Sequence, residues 1–402
     1  MANVSSSNGL EKRPKLRFPG FDEPYRECQI GDIYAERSQR GAGDMELLSV
    51  TMNDGVMPRS EIEGKDSSSE DKSNYKVVCK GDMVYNSMRM WQGANGVSDY
   101  DGIVSPAYTV LMPTKEIDNQ YFAALFKTSK LINEFRKNSQ GLTSDTWNLK
   151  YPQIRPIRLH IPSLQEQHKI SAFIGTLEER ISKQRQLVDS LKKYKRGLLR
   201  DIFSKLNVRH DKRKLKDVAV LFADGDWIES KDQAPEGIRL VQTGNVGFGV
   251  YLDKPQNAKY ISEATFHRLN CLEIYDGDIL ISRLPEPAGR ACLLPQSTER
   301  RITAVDCTVI RTDKSVIDRT YLLQFLCSDQ YLKTVNSLLA GGTRQRISRK
   351  NLEGIEVPYP SIDQQRYYGS FLCKVDARIS NEENRLNCLS ILRSSLLQQL
   401  FI

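Results

Sequence analysis

Ile161-Pro162-Ser163-Leu164-Gln165-Glu166-Gln167 returns 198 residues later as Tyr359-Pro360-Ser361-Ile362-Asp363-Gln364-Gln365. With that offset held fixed, Phe173, Ile174, Leu177, Ile181, Leu191, Leu198, Leu199, Ile202 and Phe203 meet Phe371, Leu372, Val375, Ile379, Leu389, Leu396, Leu397, Leu400 and Phe401. A gapless match over about forty residues marks an internal duplication. Each copy also reads as a helix start. A proline precedes the cap, and Ser163 with Glu166, or Ser361 with Gln364, has the spacing of a capping box. Beyond the caps apolar residues recur every three or four positions, through Ile170, Phe173, Leu177, Ile181, Val188 and Leu191 in the first copy. The second copy runs through Tyr368, Leu372, Val375, Ile379, Leu386, Leu389, Leu392, Leu396 and Leu400. An average step near 3.5 is a coiled-coil seam, and about forty residues make a rod of roughly 60 Å. Neither seam can be buried alone, so the two helices are expected to pack on each other.

Working outward, the duplication continues with small shifts. Gly81-Asp82-Met83-Val84 matches Gly277-Asp278-Ile279-Leu280, Tyr121-Phe122 matches Tyr321-Leu322, and Thr51-x-Asn53-x-Gly55 matches Thr243-x-Asn245-x-Gly247. Strand character is predicted for Tyr75–Val78, Met83–Tyr85, Ala107–Leu111, Ile238–Gln242, Asp278–Ser282 and Cys307–Arg311. Helical spacing runs through Tyr121–Arg136 and Arg319–Leu339. The fold class is therefore α+β: two tandem α+β domains, separated and followed by long helices. The boundaries are a loose polar tail at 1–20, a first globular domain at 21–160, a central helix at 161–206, a second domain at 207–358 and a final helix at 359–402.

Composition excludes several classes. No run of about 18 apolar residues is present, so no membrane span is expected, and the first twenty residues lack the apolar stretch of a secretory signal. Eight cysteines are scattered without a CxxC pair and only four histidines could help them, so zinc is not expected and the thiols read as reduced, in a cytoplasmic protein. No Pro-Pro pair exists, which removes the Asn-Pro-Pro-aromatic loop of adenine methyltransferases. No GxxxxGK[ST] loop is present, and Gly244–Gly249 has the wrong spacing for a dinucleotide site. Asp54 with Glu61 or Glu63 and Lys65 could hold Mg²⁺ as an autonomous nuclease would, but this polar stretch runs into Ser67-Ser68-Ser69 and reads better as a solvated loop. Catalytic, cofactor and metal sites are all expected to be absent.

Nucleic-acid signals are better placed. The formal net charge is +8, and Gly341–Lys350 carries Thr343, Arg344, Gln345, Arg346, Ser348, Arg349 and Lys350 without one acid. Such residues neutralise phosphates and fork onto guanine or adenine. The equivalent stretch Gly141–Lys150 offers Thr143, Ser144, Asn148 and Lys150. Arg89, Gln92 and Asn95 follow the first Gly-Asp strand, and Arg283 and Arg290 follow the second, at strand ends where recognition residues often sit. Thr243 and Asn245 in the duplicated Thr-x-Asn-x-Gly turn complete the candidates. Lys192, Lys193, Lys195, Arg196 and Arg200 crowd one helix segment, as a solvated face or as a face toward DNA or a partner.

The paired Pro-Ser-aliphatic-x-[Glu/Gln]-Gln openings and the duplicated layout resemble the specificity (S) subunits of Type I restriction-modification systems, the HsdS family. Arg17-Phe18-Pro19-Gly20-Phe21, Met88–Ala94, Asp101–Tyr108 and Gly342–Leu352 are similar to patterns of that family, so the resemblance covers the chain from about Arg17. It implies that each globular part is a target recognition domain reading one half of a bipartite, asymmetric site in double-stranded DNA. It implies further that the helices pack antiparallel and set the unread spacer. Two modification subunits would bind S-adenosylmethionine and methylate adenines, and two restriction subunits, where present, would add ATP- and Mg-dependent translocation and cleavage. The chain itself would be non-catalytic and bind none of these cofactors. The rival readings are an autonomous restriction endonuclease and a coiled-coil scaffold without DNA function.

Overall fold

The structure, a computed structural model, describes residues 13–41, 44–52, 55–62, 64, 66, 68–143, 145–342 and 345–401. The chain divides into two compact units, one of Met1–Arg185 with Arg385–Ile402 and one of Gln186–Asn384. Each unit is built around a four-stranded antiparallel sheet. In the first these strands are β1 (Tyr34–Glu36), β2 (Met83–Asn86), β3 (Asn95–Val97) and β4 (Tyr108–Pro113), in the order β1-β4-β2-β3. In the second they are β5 (Ala219–Asp224), β6 (Ile279–Ser282), β7 (Ala291–Leu293) and β8 (Cys307–Thr312), in the order β5-β8-β6-β7. The same permutation appears twice, so the duplication seen in the helices extends to the sheets. Additions differ: the second unit carries a five-stranded sheet in which Ile238–Val241 runs parallel to Arg301–Thr303, whereas the first has two-stranded pairs at Leu48–Pro58 and at Lys76–Val78 with Gly102–Val104.

The Gly-Asp pair before β2 and β6 has one local cause. Gly81 and Gly277 sit at φ +92° and +86°, where a side chain would be strained. The following aspartate then closes the turn, Asp82 accepting from the Cys79 N–H (2.8 Å) and Asp278 from the Tyr275 N–H (2.9 Å). Each carboxylate is neutralised by an arginine, but from different places: Arg37 just after β1 in the first unit, Arg311 within β8 in the second.

The helical stretches predicted at Tyr121–Arg136 and Arg319–Leu339 are each two helices, Asn119–Leu125 with Ser129–Asn138 and Arg319–Leu326 with Asp329–Ser337. Apolar periodicity runs through both breaks. Thr128 and Ser328 make them, each accepting a backbone N–H of the next helix as an N-cap.

The long helices span Leu164–Arg209 and Ile362–Leu400. In the second unit Lys192 pairs with Glu383 (2.7 Å) and Lys195 with Asp376 (2.5 Å), so the two run antiparallel there. In the first unit Glu178 meets Arg393, and Ile170, Ile174, Leu397, Leu400 and Phe401 share its main core with Tyr34, Tyr121, Phe122, Phe126 and Phe135. The second core gathers Leu199, Phe203, Leu206 and Leu372 around Tyr321, Phe325 and Tyr331. Phe401 packs on Tyr121 at 5.1 Å and Phe203 on Tyr321 at 5.5 Å between ring centroids, the same contact in both copies. Each such aromatic pair contributes about 0.5–1.5 kcal/mol beyond its buried area.

Two local expectations are corrected here. The capping box forms at Ser361 and Gln364, with reciprocal bonds of 3.3 and 3.4 Å. At the first helix Glu166 turns instead to Arg17, which donates to both carboxylate oxygens at 2.9 and 2.8 Å, and to Tyr25 at 3.3 Å. The carboxylate is buried, and a guanidinium compensates a buried charge better than one backbone N–H does. For the same reason residues 16–18 are not a loose tail. The Leu16 N–H donates to the Gln399 carbonyl at 2.9 Å, and the Phe18 ring packs edge-on against Phe173.

Candidate nucleic-acid interface

In each unit the turn after the Gly-Asp strand and the loop after the paired short helices are held together. In the first unit the Leu149 N–H donates to the Ser87 carbonyl at 2.8 Å; in the second the Ile347 N–H donates to the Arg283 carbonyl at 3.2 Å. Both loops are pinched shut by an antiparallel bridge, Gln140 with Asn148 and Ala340 with Arg346. The two loops read as equivalent in sequence therefore occupy equivalent places, beside the strand-end turn of their own sheet.

In the first unit the turn is a short 3-10 segment, Met90–Gln92, stopped by Gly93 at φ +88°. It exposes Arg89 and Gln92. Trp91 meets Trp147 of the neighbouring loop edge-on at 5.2 Å, and the Arg136 guanidinium lies 5.7 Å from the Trp91 ring. This contact fixes the loop that carries exposed Thr143 and Lys150. Neither tryptophan was among the predicted site residues, although both stand inside the two stretches that were. Asn148 is half-buried, and its main chain closes the bridge to Gln140. Ser144 lies outside the described residues.

In the second unit Gln345, Arg346, Ser348, Arg349 and Lys350 are all exposed. Arg346 stands 3.6 Å from Asp306, and Arg349 pairs with Glu353 at 3.2 Å one turn along. Both are solvent-screened pairs that a phosphate could replace at small cost. Ser348 caps the helix Arg349–Glu353, accepting from the Asn351 N–H. Thr343 and Arg344 lie outside the described residues.

Three predicted readers are buried, and a fourth, Arg290, is half-buried with its fork turned onto the main chain. Asn95 is fully buried, with its amide donating to the Gly93 carbonyl. Asn245 is buried, accepting from the Gln242 N–H and donating to the Leu252 carbonyl. Arg283 is 3% exposed, donates to the Val305 carbonyl at 2.6 Å and pairs with Asp224 at 3.3 Å. Arg290 donates to four main-chain carbonyls, those of Thr243, Val246, Leu284 and Pro287. Burial pushes this guanidinium below its ordinary pKa. Thr243 is half-buried, and its carbonyl is one of those four acceptors. These polar side chains hold turns in shape, which is the usual condition for burying them.

The basic segment of the first long helix divides in the same way. Lys192 and Lys195 are spent on Glu383 and Asp376 of the opposing helix, while Lys193, Arg196 and Arg200 face solvent along one side. Among the described residues no three His, Cys, Asp or Glu side chains gather as a metal site. Glu61 is exposed, and Asp54, Glu63 and Lys65 lie outside the described residues. The cysteines are free, and burial pushes the Cys292 and Cys327 thiols up to about 12. Among the described residues no helix is long and apolar enough to cross a membrane.

Comparison with known proteins agrees with this duplicated architecture. Residues 28–192 and again 207–390 match the model of the Type I restriction modification DNA specificity domain. The chain is 21% identical over 346 residues to a protein named as the specificity subunit of the type I restriction enzyme MjaX of Methanocaldococcus jannaschii, covering 78% of this chain and 75% of that one. It is 22% identical over 329 residues to the type I restriction enzyme MjaVIII specificity subunit of the same organism, covering 76% of each. The crystal structure of the Type-I restriction-modification system S subunit from M. genitalium shares the fold at a TM-score of 0.58 and 16% identity, with 97% of this chain and 99% of that one covered.

Proposed function

The chain belongs to the family of Type I restriction-modification DNA specificity domains and is a specificity subunit, and from that premise we propose that each unit reads one half of a bipartite, asymmetric DNA site. The observation that carries this reading is the pairing, in both units, of a strand-end turn with a post-helix loop, through Leu149 to Ser87 and Ile347 to Arg283. The exposed hydrogen-bonding groups differ between the copies. The first offers Arg89, Gln92, Thr143 and Lys150, the second Gln345, Arg346, Ser348, Arg349 and Lys350. Equivalent scaffolds with unlike side chains suit two different half-sites, because phosphate contacts position a protein while base contacts specify.

The family recognises DNA without catalysing a reaction. The chemistry then belongs to partner subunits: two modification subunits carrying S-adenosylmethionine and methylating adenines, and restriction subunits using ATP and Mg where a host has them. The paired helices act as the frame on which these subunits dock and as the ruler of the unread spacer. The setting is cytoplasmic, where DNA and these cofactors are found. Methylome sequencing of a host with and without the gene tests the reading. A modified bipartite motif should vanish with the gene, and Gln345→Ala with Arg346→Ala should relax one half of it at roughly 1–3 kcal/mol per base-reading contact. An unchanged methylome sinks the proposal.

A further inference from the structure

Arg290 stands just before β7, where the first unit has Ala94 just before β3, and the equivalence is exact to one bond: the Asn86 N–H donates to the Ala94 carbonyl at 3.0 Å and the Ser282 N–H to the Arg290 carbonyl at 2.9 Å. Only the second unit thus places a guanidinium at this point. Its Nε donates to Val246 O (2.8 Å), Nη2 to Thr243 O (2.9 Å), and Nη1 to Leu284 O (2.8 Å) and Pro287 O (3.1 Å). Four of the five N–H donors of the fork are engaged. The acceptors lie on two separate loop segments, residues 243–246 and 284–287, so one side chain joins them.

What the fork holds is informative. Residues 246–251 form a tight hairpin, with Val246 bridged to Tyr251 and the Gly247 N–H donating to the Val250 carbonyl at 2.9 Å. A Cβ at Gly247 would lie 2.6 Å from that carbonyl oxygen, and Gly249 sits at φ +77°, so both glycines are required by the turn. Between them the hairpin presents Phe248, 48% exposed, and then Val250, 53% exposed. Single exposed apolar residues are ordinary, and exposure alone decides nothing. Position does. The Pro285–Ala288 turn, which Arg290 ties to this hairpin, also lines an open groove with Gly342 and Gln345 of the post-helix loop. Hairpin, turn and loop are therefore linked in series: the Gly249 N–H ties the hairpin to the Ala291 carbonyl at 2.8 Å, and the fork of Arg290 joins it to the turn.

We propose that Arg290 is a positioning residue for sequence reading by the second unit, and that Phe248, on the hairpin it fastens, makes an apolar contact with a base. The proposal rests on the DNA-reading function argued above. Phenylalanine is suited to this task, against a thymine methyl or between base steps. Arg290 itself acts through the main chain it holds, because four of its five donors are already taken. The first unit fastens its loops differently, through Trp91 and Trp147, so the device serves one half-site only.

The test uses the full chain assembled with its modification subunits, and duplexes carrying the methylome-defined site or the same site with either half scrambled, titrated over a salt series. Arg290→Lys keeps the charge but cannot span four carbonyls. It should lower discrimination at one half-site on the order of tenfold, the scale of one mismatched base pair. That half-site should be the one weakened by Gln345→Ala with Arg346→Ala, the other half should be read as before, and the salt slope should not change. A slope flattened by about one unit means a lost phosphate contact and overturns the positioning role, as does wild-type discrimination at both halves. Phe248→Ala, a surface change that spares the fold, should weaken the same half-site; wild-type affinity and preference in this variant also overturn the proposal. A wild-type complex that prefers neither half-site would instead sink the DNA-reading function itself.

Discussion

Gln167 and Gln365, 198 residues apart, make the same two hydrogen bonds. Each amide nitrogen donates to the carbonyl of the motif proline, Pro162 at 3.1 Å and Pro360 at 2.9 Å. Each amide oxygen accepts from the N–H of an aspartate, Asp118 at 3.1 Å and Asp318 at 2.9 Å. Those aspartates are the N-caps of Asn119–Leu125 and Arg319–Leu326. One buried amide therefore joins the entry of a long helix to the entry of a short one, which gives the last letter of the repeated motif its physical reason.

Gln365→Leu should cost about 2–6 kcal/mol, since it strands a donor and an acceptor of the main chain at about 1–3 kcal/mol each. Gln364→Leu, one position earlier and exposed, loses only its capping contact and should cost about 0.5–1 kcal/mol. Urea unfolding of the two variants checks this. Equal losses would show that the buried bonds are not what the motif encodes.

Arg17→Ala leaves the Glu166 carboxylate buried without its cation. The loss should fall somewhat below the ~3–5 kcal/mol of a fully enclosed pair, because the Arg17 side chain keeps 15% exposure. Arg17→Met with Glu166→Met should be less damaging than Arg17→Ala alone, as replacing both partners removes the orphan charge. Thermal unfolding of the two variants checks this ordering; a double variant no more stable than Arg17→Ala would show that the orphan charge is not what costs.

Gly369→Ala should destabilise the second unit by about 1–3 kcal/mol through overpacking. A Cβ there would stand 2.4 Å from Thr320 Oγ1 and 2.8 Å from the Tyr321 nitrogen. The first copy has Ser171 at the matching place, its hydroxyl donating to Asp118 at 2.5 Å, while in the second copy Thr320 supplies the hydroxyl to Asp318. Gly369→Ser with Thr320→Ala transplants the first arrangement and should recover part of the loss. Calorimetry showing no recovery would mean that backbone proximity, not the hydroxyl, decides the site.

Adding one heptad to both long helices, between Lys183 and Leu187 and between Asn381 and Arg385, should lengthen the unread spacer. Seven residues add about 10 Å, or roughly three base pairs at ~3.4 Å each. The boundary between the two units falls inside both windows, so each core keeps its own helix segments. Methylome sequencing should report the same half-sites farther apart. An active complex with an unchanged spacer would show that the helices do not measure the site.

The helices and the duplication were legible in sequence because a 3.5-residue period, a proline and a serine cap are local signals that survive without tertiary context. The sheet permutation was not, since nothing in β1 or β5 names its neighbour. Arg290 shows why the site was read only in part. A cation in a turn looks like surface, and its burial depends on carbonyls up to 47 positions away. Asn95 and Asn245 misled in the same manner, as amides turned inward onto the main chain of their own loops. Glu166 obeyed a local capping rule in sequence and a long-range charge in the structure. What was legible at the candidate interface is where the loops stand; which side chains they leave free had to be seen.

The two units differ in how the chain closes them. The second is one uninterrupted segment, whereas the first needs Leu397, Leu400 and Phe401 to complete a core begun at Ile30, and the whole second unit intervenes. During synthesis the later-made unit can therefore consolidate first, while the earlier one waits with Tyr121 and Ile174 lacking their cover. Closing so long a loop is slow, and a half-made core is the species that aggregates. The first core cannot be completed until the last residues of the chain have been made.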